Sequence, residues 1–176
     1  NYHKNRKGFA SIFANALFQL NRKLQVLIQK KQGKKAHREW RPSAICISKD
    51  SFKRDKAFRL LNWISYKYGF GTYLHQIDGY YSSSTARQAR EELKRLLAQV
   101  QSIENHVYID TLISPSNTSG IAQAIQIPGI AGMENNMVIF EFDKEHPSNL
   151  DEIIDNFSLV NSGDFDIVIM ASSQRE

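Results

Sequence analysis

From Pro42 onward one pattern repeats: a short apolar run, a segment of helical length, then another short apolar run. The runs occupy residues 44–48, 72–77, 107–113, 137–142 and 167–170. They are too short for buried helices and rich in the β-branched and aromatic residues that favour strands, as in Val138-Ile139-Phe140. Several are apolar at consecutive rather than alternate positions, which suits strands covered on both faces. Neighbouring parallel strands need a crossover of a dozen or more residues, and the intervening segments supply it; hairpins would need only a few. The alternation therefore predicts an α/β domain over residues 42–176. Its core is an open, doubly wound, mostly parallel sheet of five strands, with helices on both faces.

The residues between the runs have the chemistry of helix ends and turns. Asp50 or Ser51 is placed to cap a helix reaching Tyr68 with Phe58, Leu61 and Ile64 turned inward, and Gly69 ends it. One of Ser82, Ser83 and Ser84 caps the next helix, whose apolar stripe is Ala86, Ala89, Leu93, Leu96, Leu97, Val100 and Ile103. Residues 118–127 form a helix stopped by Pro128 and Gly129, and a last helix is expected over 150–157. Gly129 is expected to supply backbone freedom at a turn, and Met133 to pack beneath the loop that delivers the fourth strand. Cys46 is the single cysteine, so a disulfide within the chain is impossible; inside the first strand it reads as a small buried hydrophobe.

Residues 1–41 differ in kind. They carry eleven Lys/Arg and one Asp/Glu, leaving 12 against 17 for residues 42–176, so the basic character of the chain belongs to this arm. Within it Phe9, Phe13, Leu17, Leu20, Leu24 and their neighbours recur at i, i+3, i+4, i+7 spacing, which predicts an amphipathic helix over residues 9–28. Such a face needs cover. Lys30, Lys31, Lys34 and Lys35 follow the helix, where cations suit both its C-terminal dipole and an anionic boundary such as lipid headgroups. A solvated charged linker is the simpler alternative. Aromatic residues do not interleave with the basic clusters, so nucleic acid is not expected as a partner. No apolar run approaches the roughly 18 residues a spanning helix requires, and no signal-peptide pattern is present. Because the chain begins at Asn1 and stops just after an apolar run, it is expected to be a piece of a longer protein, truncated at its C-terminal end.

A doubly wound sheet invites a nucleotide beyond the carboxyl ends of its strands. The residues do not support one. Ser48-Lys49-Asp50-Ser51-Phe52-Lys53-Arg54, after the first strand, lacks the G-x-G-x-x-G turn that lets backbone N–H groups approach a pyrophosphate, and Gly69-Phe70-Gly71 precedes a strand instead of following one. His3, His37, His75, His106 and His146 have no metal-ligand spacing. Glu141, Asp143 and Glu145 read as a solvated strand edge, and Ser82–Ser84 lack the G-x-S-x-G context of a nucleophile. Neither catalysis nor a metal, cofactor or small-molecule ligand is expected.

Two landmarks carry a family resemblance. Gly-Ile-Ala-Gly-Met-Glu-Asn-Asn at 129–136 resembles the G-x-G-x-M-x-P-N signature in the cytoplasmic C-terminal region of cation-chloride cotransporters, with departures at Ala131 and Asn135. Glu39-Trp40-Arg41-Pro42, ahead of the first strand, resembles the K-x-[WY/F]-R-P lead-in to the same domain. Order and spacing agree over residues 9–143. The resemblance implies a non-catalytic regulatory and dimerisation domain of a secondary transporter, prokaryotic-type or amino-acid-permease-related, that moves chloride with sodium and/or potassium. It would sit on the cytoplasmic side of the cell membrane, with its own transmembrane domain, a second copy and anionic lipid headgroups as partners. Trp40, Arg41, Pro42, Gly129, Met133 and Asn136 would be structural motif residues. The arm helix would follow the last membrane span, with Phe9, Phe13, Leu17, Leu20 and Leu24 as its contact face and Lys30, Lys31, Lys34 and Lys35 near headgroups. The expected topology is also that of universal stress proteins and Rossmann-like folds. ATP-binding stress proteins place a G-x-x-G…G-[ST] loop after the fourth strand, whereas Asp143-Lys144-Glu145-His146-Pro147-Ser148 has no glycine and two repelling carboxylates. A stress-protein-like ligand- or nucleotide-binding domain is therefore the alternative.

Overall fold

Strand β1 (Ser43–Ser48) forms the middle of the sheet, flanked by β2 (Phe70–Asp78) and β4 (Met137–Asp143), with β3 (Tyr108–Ser114) and β5 (Asp166–Ser172) outermost. The computed structural model describes residues 14, 16–27, 29–30, 40–67, 69–129 and 134–174. All four strand pairings are parallel and the order is β3-β2-β1-β4-β5. The sheet is thus wholly parallel. In register, Cys46 stands opposite Tyr73 on one side and Ile139 on the other.

Continuous apolar runs follow from this placement, because each central strand feeds two cores. Ala44, Cys46, Tyr73, Ile109 and Ile139 meet Ala57, Phe58 and Leu61 of α1 (Lys56–Ser65) and Leu96 of α2 (Ser83–Val100). On the opposite face Ile45, Ile47, Leu74, Val138 and Phe140 meet Ile121 and Ala124 of α3 (Asn117–Ala124), Ile153 of α4 (Leu150–Asp155) and Val160 of α5 (Phe157–Asn161). Burying a side chain such as Ile45, Leu61, Ile121 or Ile139, each 0% exposed, contributes about 2 kcal/mol. Cys46 is fully buried, and burial, reinforced by the Glu141 charge, pushes its thiol pKa well up.

Local chemistry moves several element ends. Ser82 is the α2 cap: its hydroxyl accepts the Thr85 N–H at 3.2 Å while its own N–H donates to Thr85 Oγ1 at 2.9 Å, a reciprocal box. Two members of the predicted α2 stripe, Leu97 and Ile103, are exposed instead of buried. Neither Asp50 nor Ser51 caps α1, which begins five residues beyond Ser51 at Lys56. Residues 50–54 turn first, with the N–H groups of Lys53 and Arg54 both donating to the Asp50 carbonyl at 2.9 and 3.0 Å. That turn frees the side chains of Asp50, Ser51 and Arg54 for the site below. The helix expected over 150–157 is two short ones, α4 and α5, meeting at Asn156. Gly79, in the turn after β2, has the positive φ (135°) that favours glycine. Gly71 lies within β2 and lets α1 approach, since a Cβ there would stand 2.8 Å from Leu61 Cγ.

The chain divides into two units, Asn1–Trp40 and Arg41–Glu176. In the first, residues 16–27 are helical, and Leu17, Leu20 and Leu24 are exposed by 45%, 54% and 47%. Phe9, Phe13, Lys31, Lys34 and Lys35 lie outside the described residues, as does Met133; Lys30 is described, helical and exposed. No helix among the described residues is long and apolar enough to cross a membrane.

Candidate functional site

The strand order reverses direction between β1 and β4, and at such a switch point the two chains leaving the strands diverge and open a crevice. A cleft of about 160 Å³ lies there, lined by Ser48, Lys49 and Arg54 after β1, Glu141 on β4, and Asn117 and Asn149 at the starts of α3 and α4. Glu141 and Asp143 are not the solvated edge the sequence suggested. Their strand is internal, and the two residues are only 6% and 7% exposed.

Charge in the cleft is arranged unequally. Arg54, 4% exposed, donates from Nη2 to Asp50 Oδ2 at 2.6 Å and from Nη1 to Asp143 Oδ2 at 3.4 Å, so two carboxylates compensate one buried guanidinium. Asp143 accepts the N–H groups of Glu145 at 2.9 Å and His146 at 3.2 Å. The Glu145 bond lowers its pKa most; burial opposes this, and His146, Gln174 and the Arg54 charge reinforce it, leaving the carboxyl below its ordinary value. Lys49 is engaged by Asp78 at 3.0 Å. Glu141 has no such partner: both its carboxylate oxygens are buried and accept no hydrogen bond. A phosphate here would face Asp50 and Glu152, and no glycine-rich turn offers it backbone N–H groups.

Beside the cleft runs a buried relay that no local motif announces. Ser51 Oγ lies 2.8 Å from His75 Nδ1, and His75 Nε2 lies 2.5 Å from Glu92 Oε2. A proton on Nε2 lets the ring donate to Glu92, while Ser51 Oγ bonds the other ring nitrogen. Gln88 donates to the other Glu92 oxygen at 2.9 Å. Burial raises the Glu92 pKa, but the bonds from Gln88 and His75, with the His75 and Arg95 charges, outweigh it and the net shift is downward. Phe52 stands edge-on to His75 at 5.4 Å, and the Arg95 guanidinium covers Phe52 at 4.4 Å. Serine, histidine and glutamate in this order are the parts of a nucleophile chain. Ser51 is only 3% exposed, however, and the neighbouring cavity of about 20 Å³ has room for one water, not an acyl substrate. The relay joins the turn after β1 to β2 and α2.

Of the motif residues, Arg41, Pro42 and Asn136 lie at the opposite, N-terminal end of the sheet. Asn136 Oδ1 accepts the Ser43 N–H at 2.9 Å, Asn136 Nδ2 donates to the Arg41 carbonyl at 2.8 Å, and the Asn136 N–H donates to the Ser43 carbonyl at 2.9 Å. Asn135 accepts from Ser43 Oγ at 3.0 Å and donates to the Ile127 carbonyl at 3.0 Å. The Pro42 carbonyl accepts the Phe70 N–H at 2.9 Å, and Gly69 leaves room for Pro42. Two segments more than ninety residues apart in sequence are therefore stitched together by side-chain amides. Trp40 is 64% exposed. Among the described residues no cluster of three or more metal-ligating side chains is present. No protein-family model matches the chain, and no curated protein is significantly similar to it.

Proposed function

We propose that the chain is a cytosolic regulatory and dimerisation domain of a secondary transporter that moves chloride with sodium and/or potassium, and is itself non-catalytic. The observation that carries the proposal is the joining of Arg41 and Ser43 to Asn136, because it makes one structural unit of the two motifs whose order and spacing resemble that family. Two further features support it. The only serine–histidine–carboxylate chain described is sealed from substrate, and the switch-point cleft is hostile to phosphate. The apolar face of the arm helix, with Leu17, Leu20 and Leu24 about half exposed, calls for a second copy or the underside of a membrane domain. The basic residues after it then lie near anionic headgroups.

Two measurements test this. Reading the gene upstream of Asn1 should reveal a series of hydrophobic spans of about 20 residues each; an upstream sequence without them overturns the transporter assignment. Sedimentation equilibrium should find the chain self-associating and the Leu17→Asp/Leu20→Asp variant monomeric. A variant that remains dimeric removes the arm as the dimer contact and moves it to the α/β unit.

A further inference from the structure

We propose that the outer surface of the α1–α2 layer lies against an anionic lipid bilayer, a contact separate from the lysines of the arm. The proposal rests on the transporter reading only for bringing the chain to a membrane; every residue it uses belongs to the α/β unit.

The two helical layers of that unit differ in charge. Helices α1 and α2, which cover one face of the sheet, hold six Lys/Arg and two Asp/Glu, whereas α3, α4 and α5 on the other face hold no Lys/Arg and three Asp/Glu. Of the two carboxylates on the basic layer, Glu92 is occupied by His75 and Gln88, which leaves Glu91 to face solvent. Arg87, Arg90 and Lys94 are exposed along α2, and among the described residues none of them is in an ion pair. Their charge is therefore available to a partner, and the negative layer behind the sheet orients the unit in the field of an anionic surface.

The same layer exposes large apolar side chains. Trp63 on α1 is 76% exposed, Tyr66 follows it, and Leu97 and Ile103, which the helical stripe assigns to the core, face solvent instead. The end of α1 is held to the segment after α2, so these side chains belong to one surface. Asn62 Nδ2 donates to the Glu104 carbonyl at 3.0 Å, Asn62 Oδ1 accepts the His106 N–H at 2.8 Å, and the Tyr66 ring stands edge-on to His106 at 5.0 Å. Free cations beside exposed tryptophan, tyrosine and aliphatic residues are what a bilayer interface satisfies together. Lipid phosphates take the cations, Trp and Tyr rings sit at headgroup level, and short aliphatic side chains reach the acyl boundary. A nucleic acid would engage the cations and leave Leu97 and Ile103 in water.

Fluorescence of the whole chain tests the contact. Trp40→Phe leaves Trp63 as the only tryptophan. With vesicles of equimolar phosphatidylglycerol and phosphatidylcholine, Trp63 emission should shift to the blue and be quenched by brominated acyl chains; vesicles of phosphatidylcholine alone should do neither. Adding Arg87→Glu/Arg90→Glu/Lys94→Glu, all at exposed positions, should weaken partitioning at least tenfold, since each cation near an anionic surface contributes severalfold. The arm is intact in that variant, so binding that survives through the arm should leave Trp63 unquenched. Three results would overturn the proposal: no binding to the anionic vesicles, binding that never quenches Trp63, or partitioning and quenching undiminished in the folded triple variant. An upstream gene sequence without hydrophobic spans would refute the transporter reading and leave these vesicle results as they are.

Discussion

Replacing Asn136 by Ala removes the side chain that holds the start of β1 to the start of β4. Two hydrogen bonds disappear, and they are not equivalent. The Ser43 N–H belongs to a residue 1% exposed and loses its acceptor, which costs about 1–3 kcal/mol when water does not replace it. The Arg41 carbonyl is more open and its lost bond costs about 0.5–1.5 kcal/mol. Together the loss is centred on about 3 kcal/mol, and at about 3–5 °C per kcal/mol for a domain of this size Tm should fall by roughly 9–15 °C. Urea unfolding at neutral pH, followed by far-UV circular dichroism, gives the same quantity as a shift in midpoint with unchanged slope. Asn136→Asp retains an acceptor for Ser43 and forfeits only the donor to Arg41, so it should lose about 1 kcal/mol. A loss below about 0.5 kcal/mol for Asn136→Ala would refute the reasoning, because the Ser43 N–H must then find another partner or reach water.

Two other substitutions follow from the packing and the relay. Gly71→Ala places a Cβ 2.8 Å from Leu61 Cγ and 2.9 Å from its Cδ1, and the overpacking should destabilise by about 1–3 kcal/mol in the same urea assay. Glu92 has a depressed pKa in the fold, so its contribution is fully present above the unfolded value of about 4.3 and is lost as pH falls through the lower folded value. The stability difference between the native chain and Glu92→Gln should accordingly shrink between about pH 5 and pH 3; a difference constant across that range would show that the carboxylate charge does not act.

The sheet was legible because its signal is local and repeated: each strand is a short apolar run, and covering both faces leaves no alternation to confuse it with a hairpin. The ends were less legible for equally local reasons. Asp50 and Ser51 look like helix caps, yet the Asp50 carbonyl takes two N–H groups in a turn, and their side chains are claimed by Arg54 and His75, partners set by tertiary structure. Glu141 and Asp143 read as a solvated edge from their place at a strand end, whereas in the sheet β4 is internal, beside β1. Ser51, His75 and Glu92 come from three different segments, with no spacing rule to link them. Asn136 could be singled out only through resemblance; its partners, Arg41 and Ser43, are more than ninety residues away.

Asn136 and Glu141 stand at the two ends of β4, and substitutions there should act separately. Asn136 immediately precedes β4 and Glu141 is five residues further on, near its carboxyl end. At about 3.3 Å per residue the two lie roughly 17 Å apart along a strand whose intervening side chains are packed in both cores. Substitutions that far apart with no shared partner act almost additively on stability. The clamp at Asn136 leaves the far end of β4 alone as long as that strand remains paired to β1, so the stability effects of Asn136→Asp and Glu141→Gln should add to within about 0.5 kcal/mol. Glu141→Gln relieves a buried charge that accepts no hydrogen bond, and it should cost little or even stabilise. A parallel sheet makes this division natural, because all five strands run the same way and its two ends carry different loops. Those at the amino ends hold Arg41, Asn135 and Asn136, and those at the carboxyl ends carry the crevice.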